Sequence, residues 1–258
     1  MSKTPIGVQL YSVRNELRDD LLGTVKAIAD MGYEGVEFAG PLPDSPEKLK
    51  ALLDELGLKC CGWHTSYESV QGENLTGVVE ASRVLENSYV VVPALGPDLR
   101  KGKDDWIKLS EVFSDISAKL ESEGMHFGYH NHMFEFEVTE GELPFDILFA
   151  RASKDVFAQV DTGNASAAGV DIIPLLDKYS NRLRTIHLKP YSKSVVKNDV
   201  HEGFVPLVGE DETPWNEVFS ICEGSGVTEW YIVEYECSDI PALKAVDRIL
   251  QNLHGMGK

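Results

Sequence analysis

Short apolar runs alternate with longer amphipathic stretches along the whole chain. Parallel strands buried on both faces read as near-continuous runs of branched apolar residues, whereas a helix packed on one side repeats its apolar positions every three to four residues. By that criterion strands are predicted at residues 6–10, 35–38, 59–63, 89–92, 126–130, 156–160, 184–188 and 231–235. Helices are predicted near 20–31, 46–56, 74–87, 104–122, 143–153, 170–180, 214–224 and 239–253. Strict alternation of the two is the pattern of a parallel α/β sheet.

The connections are unequal. Gly32, Gly35, Gly57, Gly124 and Gly226 stand between a helix and the next strand, where glycine accepts the left-handed conformation that ends a helix. Those links are short, whereas the strand-to-helix segments 132–142 and 190–213 are long. In an α/β barrel the long loops at the carboxyl ends of the strands form the working face. The 258 residues are close to the roughly 250 of an eight-stranded barrel, and no composition break divides them. One (β/α)₈ TIM barrel domain over 1–258 is therefore expected. An open doubly wound sheet would need a glycine-rich phosphate loop after an early strand, and GVQLYSVRNE provides none.

Composition narrows the function more than the fold. The chain is 43% hydrophobic and 26% charged, and no run approaches the roughly 18 apolar residues of a membrane span. The N-terminal segment enters the first strand without a signal-like apolar region, so a cytoplasmic protein is expected. Cys60, Cys61, Cys222 and Cys237 have no CxxC spacing, which makes packing their expected use. A net charge of −18 repels phosphate backbones, so the expected partner is a small molecule and not nucleic acid or a membrane. A homo-oligomer is left open.

Acids and histidines gather at predicted strand ends, where burial is expensive unless they pair or bind a metal. Strand six ends in VDTGN, strand seven in IHLK and strand eight in IVEYE. Asp161, His187 and Glu234 are the first candidates for ligands of one divalent ion, and an oxygen-rich set with an imidazole suits Mn²⁺ first, with Mg²⁺, Co²⁺ or a related ion as alternatives. Each has a plainer use: Asp161 capping a turn, His187 hydrogen-bonded in the core, Glu234 paired with Lys189.

The runs VDTGN, IHLKP and IVEYE, preceded by YHNHMFEF, together with GVQLYSVR, GYEGVEF and GWHTS, resemble the xylose isomerase-like sugar phosphate isomerase/epimerase superfamily over nearly the whole chain. That resemblance implies a (β/α)₈ barrel with a divalent metal held by Glu, Asp, His and Glu from strands five to eight, and so assigns Asp161, His187 and Glu234 to the metal. Strand five departs from the commonest pattern. It reads YHNH where the epimerase-like members carry a glutamate, so the fourth ligand is assigned to Glu135, with His130 as the substitute if Glu135 faces away and Glu137 as a weaker choice.

In such a site the shared chemical step is removal of a proton next to a sugar carbonyl. Paired glutamates suit epimerisation, because each serves one face of the carbon. The histidine-rich strand five resembles that of inosose dehydratases and 3-keto-glycoside eliminating enzymes, and implies β-elimination from a keto-sugar, keto-glycoside or keto-inositol. His130 and His132 are then the acid/base candidates, Lys189 the partner of the enolate oxygen, and Glu37 and His64 the substrate contacts. The alternatives are an aldose–ketose isomerase or 3-epimerase on the same metal, a sugar-binding barrel with a vestigial site and, more distantly, an abasic-site endonuclease, which the negative charge disfavours.

Overall fold

Residues 3–258 are described by the computed structural model. The apolar runs form eight strands: β1 (Ile6–Gln9), β2 (Gly35–Ala39), β3 (Lys59–His64), β4 (Tyr89–Val92), β5 (His126–His130), β6 (Phe157–Gln159), β7 (Thr185–Leu188) and β8 (Trp230–Val233). All neighbours pair in parallel in the order β6-β5-β4-β3-β2-β1-β8-β7. The two ends of that sheet meet through a bridge between Asp161 and His187, where the His187 N–H donates to the Val160 carbonyl at 2.9 Å. The barrel is thus a (β/α)₈ ring whose last seam lies beside the candidate ligands.

The amphipathic stretches form the outer helices α2 (Leu21–Met31), α3 (Pro46–Leu56), α4 (Asn74–Leu85), α5 (Lys103–Glu121), α6 (Pro144–Arg151), α8 (Ile172–Tyr179), α9 (Trp215–Ser225) and α10 (Ala242–Gly255). Two short helices, α1 (Arg14–Asp19) and α7 (Thr162–Ala167), were not anticipated and sit in strand-to-helix connections. No described helix is long and apolar enough to cross a membrane. Gly32, Gly57, Gly124 and Gly226 hold the expected left-handed conformation after α2, α3, α5 and α9. Gly35 does not. It lies inside β2, where a Cβ would come within 3.0 Å of the Trp230 ring, so its smallness serves packing and not a turn.

Strand residues alternate between two cores. Those facing the helices, such as Val36, Phe38, Val90, Val92, Phe127 and Ile186, join the large outer core. Those facing the barrel axis form a separate apolar cluster of Cys61, Tyr89, Val91, Phe157, Trp230 and Ile232. Above it, toward the carboxyl ends, the inward residues turn polar: Gln9, Glu37, His64, His130, Gln159, Thr185 and His187 are all buried. A register shift in the β2–β3 pairing sets Glu37 beside Gly62, where a Cβ would lie 2.3 Å from Glu37 Oε1. The strand irregularity makes room for that carboxylate.

Candidate functional site

The segments at the ends of β5, β6 and β7 are tied together by short side chains. Asp161 caps α7, its Oδ1 accepting from the Asn164 N–H at 2.6 Å. Asn131 clasps the Asp161 backbone, accepting from its N–H at 3.0 Å and donating to its carbonyl at 3.3 Å. The Thr162 hydroxyl reaches the carbonyls of His187 (3.1 Å) and Lys189 (2.8 Å), which lock the Asp161 turn to β7. The sequence VDTGN is therefore a small scaffold that points one carboxylate into the mouth of the barrel.

His130, Asp161, His187 and Glu234 meet there, each offering one ligand atom within 4.8 Å of the others, and all four are buried. The His187 Nδ1 faces Glu234 Oε2 at 2.5 Å, and its Nε2–H donates to Glu37 Oε2 at 2.6 Å. Burial alone would lower the His187 pKa, but Glu37 and Glu234 overcome it and raise it to about 10. Burial works against the Glu234 carboxylate, yet Lys189 and His187 hold it well below the usual carboxylate range. For Asp161 burial wins, pushing the group up to about 7 against the pull of Lys189. The Lys189 ammonium contacts Glu236 and lies 3.7 Å from Glu234 and 3.9 Å from Asp161. Burial disfavours its charge, but those three carboxylates keep it protonated.

The donor set fits a divalent ion. Asp161 Oδ2 is sealed from solvent and has no hydrogen-bond partner, a costly state for a carboxylate oxygen. His130 Nε2 stands 3.9 Å from it. Two carboxylates and two imidazoles suit borderline and hard divalent ions. On its other nitrogen His187 meets Glu37, the carboxylate–imidazole pairing that commonly orients a metal-bound histidine. A second group, His64, His130 and His187, is also close enough to surround an ion. Its inward nitrogens are already occupied, because His64 Nε2 and His130 Nδ1 face Gln159 Oε1 at 2.6 and 3.1 Å and His187 Nε2 faces Glu37. That group fits a hydrogen-bonded layer better than a metal.

Each plainer use of the three residues also exists: Asp161 caps α7, His187 is hydrogen-bonded, and Glu234 neighbours Lys189. Structural and ligating uses are compatible at Asp161, where Oδ1 caps α7 and Oδ2 has no partner, whereas His187 would offer Nδ1 only by exchanging its contact with Glu234, itself a member of the group. Glu135, assigned from sequence as the fourth ligand, lies outside the group. The turn after β5 (Phe134–Phe136) folds it back, so that Oε1 accepts from the Tyr129 hydroxyl at 2.5 Å and Oε2 from the His132 N–H at 2.8 Å. The strand-five residue brought to the group is His130. Glu37 is completely buried under the histidines, with Gln9 Nε2 at 2.7 Å and Gln159 Nε2 at 2.8 Å, so it reaches them and not the space above. His64 stacks on His187 at 5.1 Å.

His132 stands at the edge, 5.2 Å from the His130 ring, with its Nδ1 buried and unpartnered. Burial draws its pKa down to about 4. Its ring lies parallel to Phe134 at 5.8 Å, and the Arg100 guanidinium lies over the Phe134 ring at 3.6 Å. Trp63 and Phe136 are packed inside, while Tyr11, 44% exposed, carries the Arg14 guanidinium at 4.3 Å. His126 pairs with Glu121 at the far end of the barrel, and His201 with Asp199 on the exposed loop after β7. Gln9, Gln159, Thr185 and Asn131 were missed from sequence. The available signal was a polar residue inside or just after an apolar run, as in IGVQ and FAQV.

The family model for the xylose isomerase-like TIM barrel matches residues 25–254. The inosose dehydratase of Serratia proteamaculans is 22% identical over 245 residues, covering 82% of this chain and 81% of its own. A sugar phosphate isomerase/epimerase from Parabacteroides distasonis superposes with a TM-score of 0.82 at 20% identity, over 98% of both chains. The IolI protein, crystallised with a zinc atom, superposes with a TM-score of 0.75 at 15% identity, over 97% of both chains.

Proposed function

The chain belongs to the xylose isomerase-like TIM barrel family, and from that membership and the geometry of its mouth we propose that it is a divalent-metal-dependent carbon–oxygen lyase. Its substrate on this proposal is a keto-cyclitol, keto-sugar or keto-glycoside. The observation that carries the proposal is the orphaned, buried Asp161 Oδ2 amid His130, His187 and Glu234. His130 takes the strand-five position instead of Glu135. When bound, the ion supplies Lewis-acid polarisation of a substrate carbonyl. Mn²⁺ fits the mixed oxygen and nitrogen donors, and the zinc of IolI marks Zn²⁺ as the competing choice.

The remaining groups supply proton transfer and charge stabilisation. His132 is held neutral, with a bare buried nitrogen free to accept the proton next to the carbonyl and to return it to the departing β-hydroxyl, which leaves as water as the C=C bond forms. Lys189 stays charged among its three carboxylates and stabilises negative charge that develops on the substrate oxygen. Glu37 does not touch substrate on this account. It orients His187 and His64 from below. The two sides of the group are chemically unlike, imidazole at strand five and carboxylate at strand eight, which favours elimination over symmetric reprotonation of one carbon. The inosose dehydratase relatives support the same choice.

Proton NMR in D₂O with a keto-inositol and Mn²⁺-loaded protein tests this. The expected result is an unsaturated ketone with loss of water. Deuterium exchange that yields only an epimer or isomer would replace the lyase by an isomerase on the same site.

A further inference from the structure

We propose that Gln159 is a positioning residue that fixes the tautomers of His64 and His130, so that His130 presents a bare Nε2 toward Asp161. Its functional consequence rests on the metal-centre proposal, but its geometry does not.

Gln159 is completely buried on β6, two residues before Asp161. Its amide has four neighbours. Nε2 donates to Glu37 Oε1 and to Thr185 Oγ1, both at 2.8 Å. Oε1 faces His64 Nε2 at 2.6 Å and His130 Nδ1 at 3.1 Å. Reversing the amide would set its oxygen against the Glu37 carboxylate and its NH₂ against two imidazoles, so Glu37 fixes which end is which. Glu37 is itself anchored by the Gln9 amide at 2.7 Å.

An amide oxygen only accepts, and both imidazole nitrogens facing it must therefore carry hydrogen. For His64 the Glu37 Oε2 atom, 3.1 Å from the same nitrogen, reinforces the assignment. For His130 no carboxylate oxygen lies within hydrogen-bond distance, the nearest being Asp161 Oδ2 at 3.9 Å from Nε2. With its proton held on Nδ1, neutral His130 keeps the Nε2 lone pair on the side of the orphaned oxygen. The ordering runs from β1 through β2 and β6 to β5: Gln9 holds Glu37, Glu37 orients Gln159, and Gln159 selects the nitrogen of His130 that is free. A histidine whose second nitrogen is fixed in this way is a prepared ligand.

Long-range ¹H–¹⁵N NMR of the metal-free, unmodified chain reads the tautomers directly, with signals assigned through His64→Gln and His130→Gln. His130 with its proton on Nδ1 and His64 with its proton on Nε2 are expected; His130 protonated on Nε2 overturns the inference. Gln159→Met keeps the length and removes both polar ends. In that variant His130 should populate both tautomers, and Mn²⁺ affinity measured by chelator competition should fall about 10- to 100-fold. Thr185→Val, which removes one of the two acceptors of the amide NH₂ and leaves Glu37, should give a smaller loss in the same direction. Parent-like Mn²⁺ affinity in Gln159→Met overturns the positioning role while leaving the metal centre intact. If the unmodified chain binds no Mn²⁺, the metal-centre proposal fails and the NMR result alone decides the tautomer assignment.

Discussion

The two halves of the barrel interior follow opposite rules. Toward the amino ends of the strands, Cys61, Tyr89, Val91, Phe157, Trp230 and Ile232 form a dry plug. Glycines make room for it: a Cβ at Gly7 would meet Cys61 Sγ at 2.5 Å, and one at Gly128 would meet the Phe157 ring at 2.4 Å. Burial of this apolar surface stabilises the fold at roughly 25 cal/mol per Å². Toward the carboxyl ends, Glu37, His64, His130, Gln159, Asp161, His187 and Glu234 are buried too. Desolvating those groups opposes folding, and hydrogen bonds between them offset the cost. The offset is incomplete at Asp161 Oδ2. The lower half holds the barrel together, and the upper half leaves Asp161 Oδ2 and His132 Nδ1 without hydrogen-bond partners, the first of which a bound cation would satisfy.

Substitutions should separate the halves. Asp161→Asn is the largest expected loss of function: turnover of the proposed keto substrate, followed by NMR, should fall on the order of a thousandfold with the fold retained. Parent-like turnover would remove Asp161 from the chemistry. Phe157→Ala should do the reverse, lowering stability in urea unfolding by about 3–5 kcal/mol while activity per folded molecule is kept. Loss of activity without loss of stability would dissolve the division.

Glu135 probes the boundary. Burial pushes its carboxyl up to about 7, against the hydrogen bonds from Tyr129 and His132. A raised folded-state pKa gives stability that is fully present below the unfolded value near 4.5 and is lost as pH rises through about 7. Relative to Glu135→Gln, the parent should therefore lose up to about 3 kcal/mol between pH 4 and pH 8, at about 1.4 kcal/mol per pKa unit. A stability difference that does not change with pH would mean that the Tyr129 and His132 contacts balance burial, and one that grows with pH that they outweigh it. The smallest effect is expected at Gly128→Ala, where the Phe157 ring must shift; overpacking should cost about 1–3 kcal/mol in thermal unfolding. A neutral result would show the lower plug to be looser than its close contacts imply.

The strands were legible to within one or two residues because fully buried parallel strands leave dense apolar runs, as in YVVV of β4. Asp161, His187 and Glu234 were legible because strand ends in a barrel converge by topology, whatever the intervening loops do. The course of the chain after β5 was not. Whether Glu135 or His130 faces the group depends on a tight turn at Phe134–Phe136 that no periodicity marks. Gln159 and Gln9 were hidden for a different reason. Only the inward or outward phase of a strand shows that a polar residue lies on the barrel axis, and that phase becomes visible once Phe157 and Gln159 are seen on the same face.

Titration of Mn²⁺ into metal-free protein, with Asp161→Asn alongside, tests the central claim most directly. The account predicts one tight site per chain, lost in the variant. Absence of a stoichiometric site in the unmodified chain, or a site that Asp161→Asn leaves unchanged, would contradict it.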